Sequence, residues 1–277
     1  MPLPLRRGDD STEVADLQRL LNKVGGMLLD EGKFAAQTED AVKDTQAMAA
    51  LPVTGVADKA LVDWLVAQPE ANPVIPTRAV TFIARAEVTD RAAYKTRYQR
   101  PIWPGVEAGI TIGIGYDLRM QSPAQFDQDW QGLLPPAALD ALRPTLGSIG
   151  SAALAASLAA ITVPLGAAWP NFAGRVMPRY VGNTRNAFGG PAFDALHGLC
   201  KGALLSLVYN RGAGMDDKPG EDKRREMRAI RDHIAAGTLD QVEQDFRDMR
   251  RLWPGVPGLQ KRRDDEADLW RAGLNGG

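Results

Sequence analysis

One cysteine and two histidines in 277 residues remove several ways of holding a fold together. Cys200 has no second thiol to pair with, so an intramolecular disulfide is excluded. In the apolar run Leu199–Leu205 it reads as a small buried hydrophobe. His197 and His233 are too few and too far apart to suggest zinc, and no metal or other cofactor is expected. A strong charge is missing too: the formal net charge of −1 gives no field that would gather nucleic acid. Long apolar runs are also absent. The longest uncharged stretch, Pro144–Gly174, is rich in Ala, Gly and Ser and is interrupted by Pro164 and Pro170, so it reads as buried helix and not as a membrane span. Met1–Arg7 lacks the apolar segment of a secretory signal. The expectation is a monomeric chain made in the cytoplasm, without membrane insertion.

What is present is ordinary for a globular protein, 44% hydrophobic and 24% charged, and the length suits two domains of unequal size. The charge is unevenly placed. Residues 1–73 hold 7 Lys and Arg against 12 Asp and Glu, and the remainder holds 26 against 22. Helical periodicity begins near Ser11-Thr12-Glu13 with Val14, Leu17, Leu20, Leu21 and Val24, and Gly25-Gly26 stops it. A second helix runs from about Thr38, with Ala41, Val42, Thr45 and Gln46 on one face. Leu51–Gly55 is a turn, and Lys59–Gln68 a third helix with Leu61, Trp64 and Leu65 inward. Three prolines in Pro69–Pro76 mark a linker. The predicted organisation is a three-helix bundle over residues 1–70, a linker over 71–77 and a larger domain over 78–277.

The larger domain reads as mainly α with one small β-hairpin. Thr77–Val88 is helical, with Val80, Ile83, Ala84 and Val88 toward a core and Glu87 at the border of the apolar face. Gly109–Asp117 alternates strictly, which places Ile110, Ile112 and Ile114 on one side and Thr111, Gly113 and Gly115 on the other. Further helices are predicted over about Ser122–Gln131, Pro136–Leu142, Ala152–Ala160, Ala192–Tyr209, Lys223–Ala236, Leu239–Leu252 and Gln260–Ala272. Arg262 and Arg263 with Glu266 read as a surface pairing at helical spacing. Ser206 has neither a nucleophile-elbow setting nor a partner histidine, which disfavours a serine hydrolase.

Glu87 before the Thr-Ile-Gly-Ile-Gly segment is the constellation richest in chemistry. Cleaving a glycosidic bond needs a carboxylic acid beside the leaving oxygen, and a second polar group to hold water or steady the oxocarbenium. Thr111 lies on the glycine face, where Gly113 and Gly115 leave room for a sugar. The plain alternative is a solvent-exposed glutamate and an ordinary hairpin. In Tyr209-Asn210-Arg211-Gly212, Asn210 either lines a cleft or belongs to a helix C-cap.

Two resemblances bear on these readings. Gly8, Glu13-Val14, Leu17-Gln18, Leu21-Asn22, Asp30–Phe34, Thr38, Ala41-Val42, Gln46, Leu51 and Gly55 form a pattern similar to the peptidoglycan-binding domain of many wall hydrolases, with Thr45 where an aromatic is usual. Glu87 with Thr111–Gly115, then Ala203–Gly212, then Trp253–Gly255 with Gly258–Arg263, Glu266 and Leu269, resemble three motifs of the phage-type lysozymes in the same order. That resemblance implies a lysozyme-like α+β domain and a muramidase, with Glu87 as general acid and peptidoglycan as partner. It also implies substrate contacts at Gly113, Gly115, Tyr116, Asn210 and Glu107. The chain departs from the family in lacking its aspartate before the hairpin threonine, in a longer loop after Glu87, and in Tyr116 where a histidine is usual. Asp117, Glu107 and Asp90 are therefore alternatives for the second carboxylate, together with none at all. A lytic transglycosylase and an inactive wall-binding protein remain rivals. Action on the wall, in the periplasm or outside the cell, would call for a holin or an export machine, as in an endolysin or an injected effector.

Overall fold

The computed structural model describes residues 2–276. Helix accounts for 59% and strand for 4%, which agrees with the mainly α expectation, and the described residues contain one sheet, a two-stranded hairpin. The chain forms two compact units. One runs through Ala71 and resumes over Thr81–Val176; the other comprises Asn72–Val80 and the chain from Met177 onward.

The first unit begins with α1 (Thr12–Lys23), α2 (Ala36–Met48) and α3 (Lys59–Ala67). The Ser11 hydroxyl accepts from the Val14 amide at 3.4 Å, and Asp58 from the Leu61 amide at 3.0 Å, so α1 and α3 start on side-chain caps. Val14, Leu17, Leu21, Phe34, Val42, Leu61 and Leu65 share one core, and Trp64 packs against it partly buried. Three buried amides tie the loops to this core. Gln18 donates to the Lys33 carbonyl (2.9 Å) and accepts from the Gly32 amide (3.1 Å). Asn22 closes a two-way bond with the Leu28 backbone at 3.0 and 2.8 Å. Gln46 donates to the Val56 carbonyl and accepts from the Thr54 and Gly55 amides, all at 2.9 Å.

The same unit continues from the end of α4 (Thr77–Val88) into α5 (Arg91–Ala93) and a π-helical turn over Tyr94–Tyr98. The hairpin β1 (Thr111–Ile112) and β2 (Tyr116–Asp117) follows, then α6 (Pro123–Trp130), α7 (Pro136–Leu142), α8 (Ala152–Ser157) and α9 (Leu165–Asn171). Arg91, 3% exposed, anchors the bundle to this region. It donates to Asp40 at 2.6 Å and to the Gly25 carbonyl at 3.1 Å, and it also pairs with Asp44. Lys95 bonds both carboxylates at 2.7 and 2.8 Å. Burial opposes ionisation of Asp40, but the Lys95 and Arg91 bonds outweigh it and keep its carboxyl below the usual range.

The second unit holds α10 (Met177–Ala187), α11 (Pro191–Asp194), α12 (Gly198–Arg211), α13 (Arg225–Ala236), α14 (Val242–Asp248) and α15 (Pro257–Leu274). The single helix expected over Ala192–Tyr209 is two. The chain breaks at Leu196-His197, and the His197 ring nitrogen caps α12 by accepting from the Leu199 amide at 3.3 Å. No sequence signal marked α10, which carries Pro178 in its first turn and Gly182 within it. Helix α12 is buried almost all round. At Gly202 a methyl group would strike Ala79, so only glycine permits that close approach.

Candidate functional site

Glu87 is the penultimate residue of α4 and is half-buried, with Ile83, Ala84 and Val88 fully packed around its turn. The chain leaves the helix abruptly. Thr89 adopts φ +70°, a left-handed conformation that a β-branched residue takes only under strain. Asp90 then caps the next helix, accepting from the Ala93 amide at 2.7 Å, and its other oxygen accepts from Gln37 at 3.2 Å. That carboxylate is engaged in local structure.

The hairpin pairs Thr111 with Asp117 and Ile112 with Tyr116. Strict alternation therefore does not run through the segment: Gly113-Ile114-Gly115 is the turn, and both glycines take positive φ, +59° and +68°. The expected open glycine face is not formed at Gly113, which is buried and lies so close to Trp130 that a methyl group would meet the ring at 3.0 Å. Gly115 is partly exposed at the turn. Tyr116 likewise faces inward. Its ring stands edge-on to Trp130 at 5.5 Å, and its hydroxyl donates to the buried Asp129 at 2.7 Å. A tyrosine that is 4% exposed supports the hairpin and offers little surface to a substrate.

Thr111 and Asp117 are partly exposed on paired strands, so the structure brings these two together. Asp117 also organises the chain locally. Its carboxylate accepts from the Arg119 amide at 2.8 Å and from the Gly109 amide at 3.4 Å, leaving further lone pairs for another donor. Glu107 is exposed in the preceding loop, where its backbone carbonyl accepts from Arg119.

Asn210 lies in the second unit, exposed near the end of α12. Gly212 follows at φ +76°, ψ +163°, so α12 stops in an extended glycine conformation and not the left-handed helical cap considered from the sequence. The pairing expected at Arg262, Arg263 and Glu266 forms, but not at the surface: they are 7%, 0% and 0% exposed. The cause is their register. They share the face of α15 that carries Ala267, Leu269 and Trp270 into the core, an interleaving of charge and apolar residues that was visible in the sequence. Glu266 accepts from the Ser206 hydroxyl at 2.6 Å and from Arg263 at 2.8 Å. Ser206 accepts in turn from Arg262 at 3.2 Å, and Asn210 accepts from Arg263 at 3.2 Å. The Arg211 and Arg263 guanidinium groups stand 5.2 and 5.4 Å from the Trp253 ring centre. Burial, together with Arg224 and Arg263, pushes Arg211 down to about 10. Burial likewise raises Glu266 above the usual carboxyl range and lowers Arg263. The central-helix and C-terminal motifs thus meet in one buried polar cluster.

Residues 10–65 match the peptidoglycan binding domain family, a span that covers all three helices of the bundle nearly end to end. No curated protein matches the chain. The match supports peptidoglycan as a partner and association with the cell wall. Among the described residues no helix is long and apolar enough to cross a membrane.

Proposed function

We propose that this chain is a peptidoglycan hydrolase, an N-acetylmuramidase with a lysozyme-like fold in which Glu87 is the general acid. The observation that carries the reading is the company Glu87 keeps. It stands in the last turn of a helix among packed apolar side chains, two residues before a strained one, in the same compact unit as a bundle of the peptidoglycan binding family. Glu87 protonates the glycosidic oxygen as the bond to the muramic acid breaks. Thr111 and Asp117, adjacent on the hairpin, hold the water that captures the oxocarbenium, with Gly115 and Glu107 as further substrate contacts.

One observation favours a second reading. Both Asp117 oxygens already accept backbone bonds, and a lytic transglycosylase, which needs only Glu87 and forms an anhydro sugar, has no use for a water-holding carboxylate. Two variants test these readings: the first tests the acid that both require, and the second separates them. Glu87→Gln keeps size and hydrogen bonding while removing the acid proton, and it should clear sacculi about 10²–10⁴ times more slowly with unchanged melting. Asp117→Asn should slow a hydrolase strongly. A fully active Asp117→Asn enzyme that still makes reducing ends would transfer the role to Glu107.

A further inference from the structure

A cavity of about 750 Å³ opens inside the first unit, where the bundle meets α9. Its size falls within the range of roughly 300–1,000 Å³ typical of small-molecule sites. Val24 and Met48 line it from the bundle, Leu165 and Trp169 from α9. The Trp169 ring is fixed in place, because its indole N–H donates to the Lys23 carbonyl at 3.0 Å. Met48, by contrast, is 49% exposed. Gly166 and Gly174 leave the α9 side without side chains. Charge is confined to the lining's polar pairs, and it is balanced: Lys23 pairs with Glu70 at 3.2 Å, and Lys95 with Asp44 at 2.8 Å.

We infer that this cavity is a second peptidoglycan site, which takes the short stem peptide and not the glycan. The inference rests on the peptidoglycan reading above. Apolar walls accept alanine methyl groups by burial alone. Two ammonium and two carboxylate groups complement a peptide carrying both carboxylates and an amine, by exchange of ion-pair partners. A polyanion would meet Glu70 and Asp44 unfavourably. A sugar, which needs many directed hydrogen bonds, finds besides these two pairs only Gln68 and Gln99 as polar side chains in a lining that is otherwise apolar. The site lies in the same compact unit as the hairpin.

The test titrates the full chain with a synthetic stem tetrapeptide and, separately, with a peptide-free chitooligosaccharide, following the Trp169 indole resonance and the heat of binding. Gly166→Leu and Gly174→Leu add bulk at the cavity's lining, where the backbone has room for a side chain to start. A methyl group at Gly166 has only Met48 nearby, at 4.0 Å, and one at Gly174 has no neighbour within that distance. The wild type should bind the tetrapeptide with the Trp169 resonance shifting, and each variant should bind at least about tenfold more weakly with an unchanged melting point. Sedimentation with purified sacculi separates the two levels of the argument. If the wild type pellets with sacculi but ignores the tetrapeptide, binds the oligosaccharide in its place, or keeps its affinity in both variants, the stem-peptide site is wrong and the wall-binding reading stands. If the wild type does not pellet at all, both fall.

Discussion

The N-terminal bundle and the α12–α15 pair both bury polar side chains, but they treat them differently. In the bundle the buried groups are neutral amides, and Gln18, Asn22 and Gln46 each bond loop backbone in both directions. Between α12 and α15 the buried groups are charged and incompletely matched. Arg263 Nε and Nη1 and Glu266 Oε2 have no hydrogen-bond partner, although all three are shielded from solvent. Satisfied amides of the first kind explain why loops hold their shape and why their spacing is recognisable as a family pattern. Buried charges of the second kind are poor stabilisers, because desolvation offsets much of their attraction. Arg263 nevertheless holds the Asn210 side chain and lies over the Trp253 ring, so these charges position neighbouring groups.

Removing one charge of the α12–α15 cluster should have the largest effect on stability. Arg263→Ala leaves Glu266 buried with one fewer partner and should destabilise by about 3–5 kcal/mol in chemical denaturation. Replacing both groups with apolar residues, Arg263→Met with Glu266→Leu, should recover most of that loss. If the double variant is no better than the single one, the cluster is a stabilising element after all and the contrast with the bundle fails. A smaller effect is expected in the bundle. Gln46→Ala strips the acceptor from the Thr54 and Gly55 amides and should lower stability by about 1–3 kcal/mol. Weaker binding to sacculi beyond that accounted for by unfolding would show Gln46 touching the wall directly.

The smallest effect is a dependence on pH. Burial pushes Asp245 up to about 6, only partly opposed by His233, whose ring lies 3.7 Å away; Asp248 and Glu226 push it further up. A carboxyl raised in the folded state contributes stability below the unfolded value of 3.8, and that contribution is lost as pH rises through about 6. Asp245→Asn should therefore gain on the wild type by about 1 kcal/mol at pH 7, allowing for solvent screening, and show no such gain at pH 4. Melting curves of both proteins across that range decide it: an offset independent of pH would mean that Asp245 titrates in the folded protein as it does in the unfolded chain.

The bundle was legible in the sequence because each of its signals is local. Ser11 and Asp58 cap, Leu17 and Leu21 repeat at helical spacing, and Gly25-Gly26 terminates. The place of the hairpin was legible too, but not its geometry, since alternation and a glycine turn produce the same string until φ is known at Gly113 and Gly115. Long-range placements left no local trace. Asp40 and Asp44 look like solvated helix residues until Arg91, some fifty positions later, is brought against them. Tyr116 reads as a site residue by position, and only the approach of Asp129 and Trp130 turns it inward. The second carboxylate is hardest to read because Asp117 suits two tasks, capping the turn after β2 and holding water.

Mass spectrometry of the fragments released from purified sacculi tests the central claim most directly. Wild-type protein should release muropeptides ending in reducing N-acetylmuramic acid, and Glu87→Gln should release them at least about a hundredfold more slowly. Anhydro-muramic ends from the wild type would contradict hydrolysis, and undiminished release by Glu87→Gln would contradict the assignment of the acid.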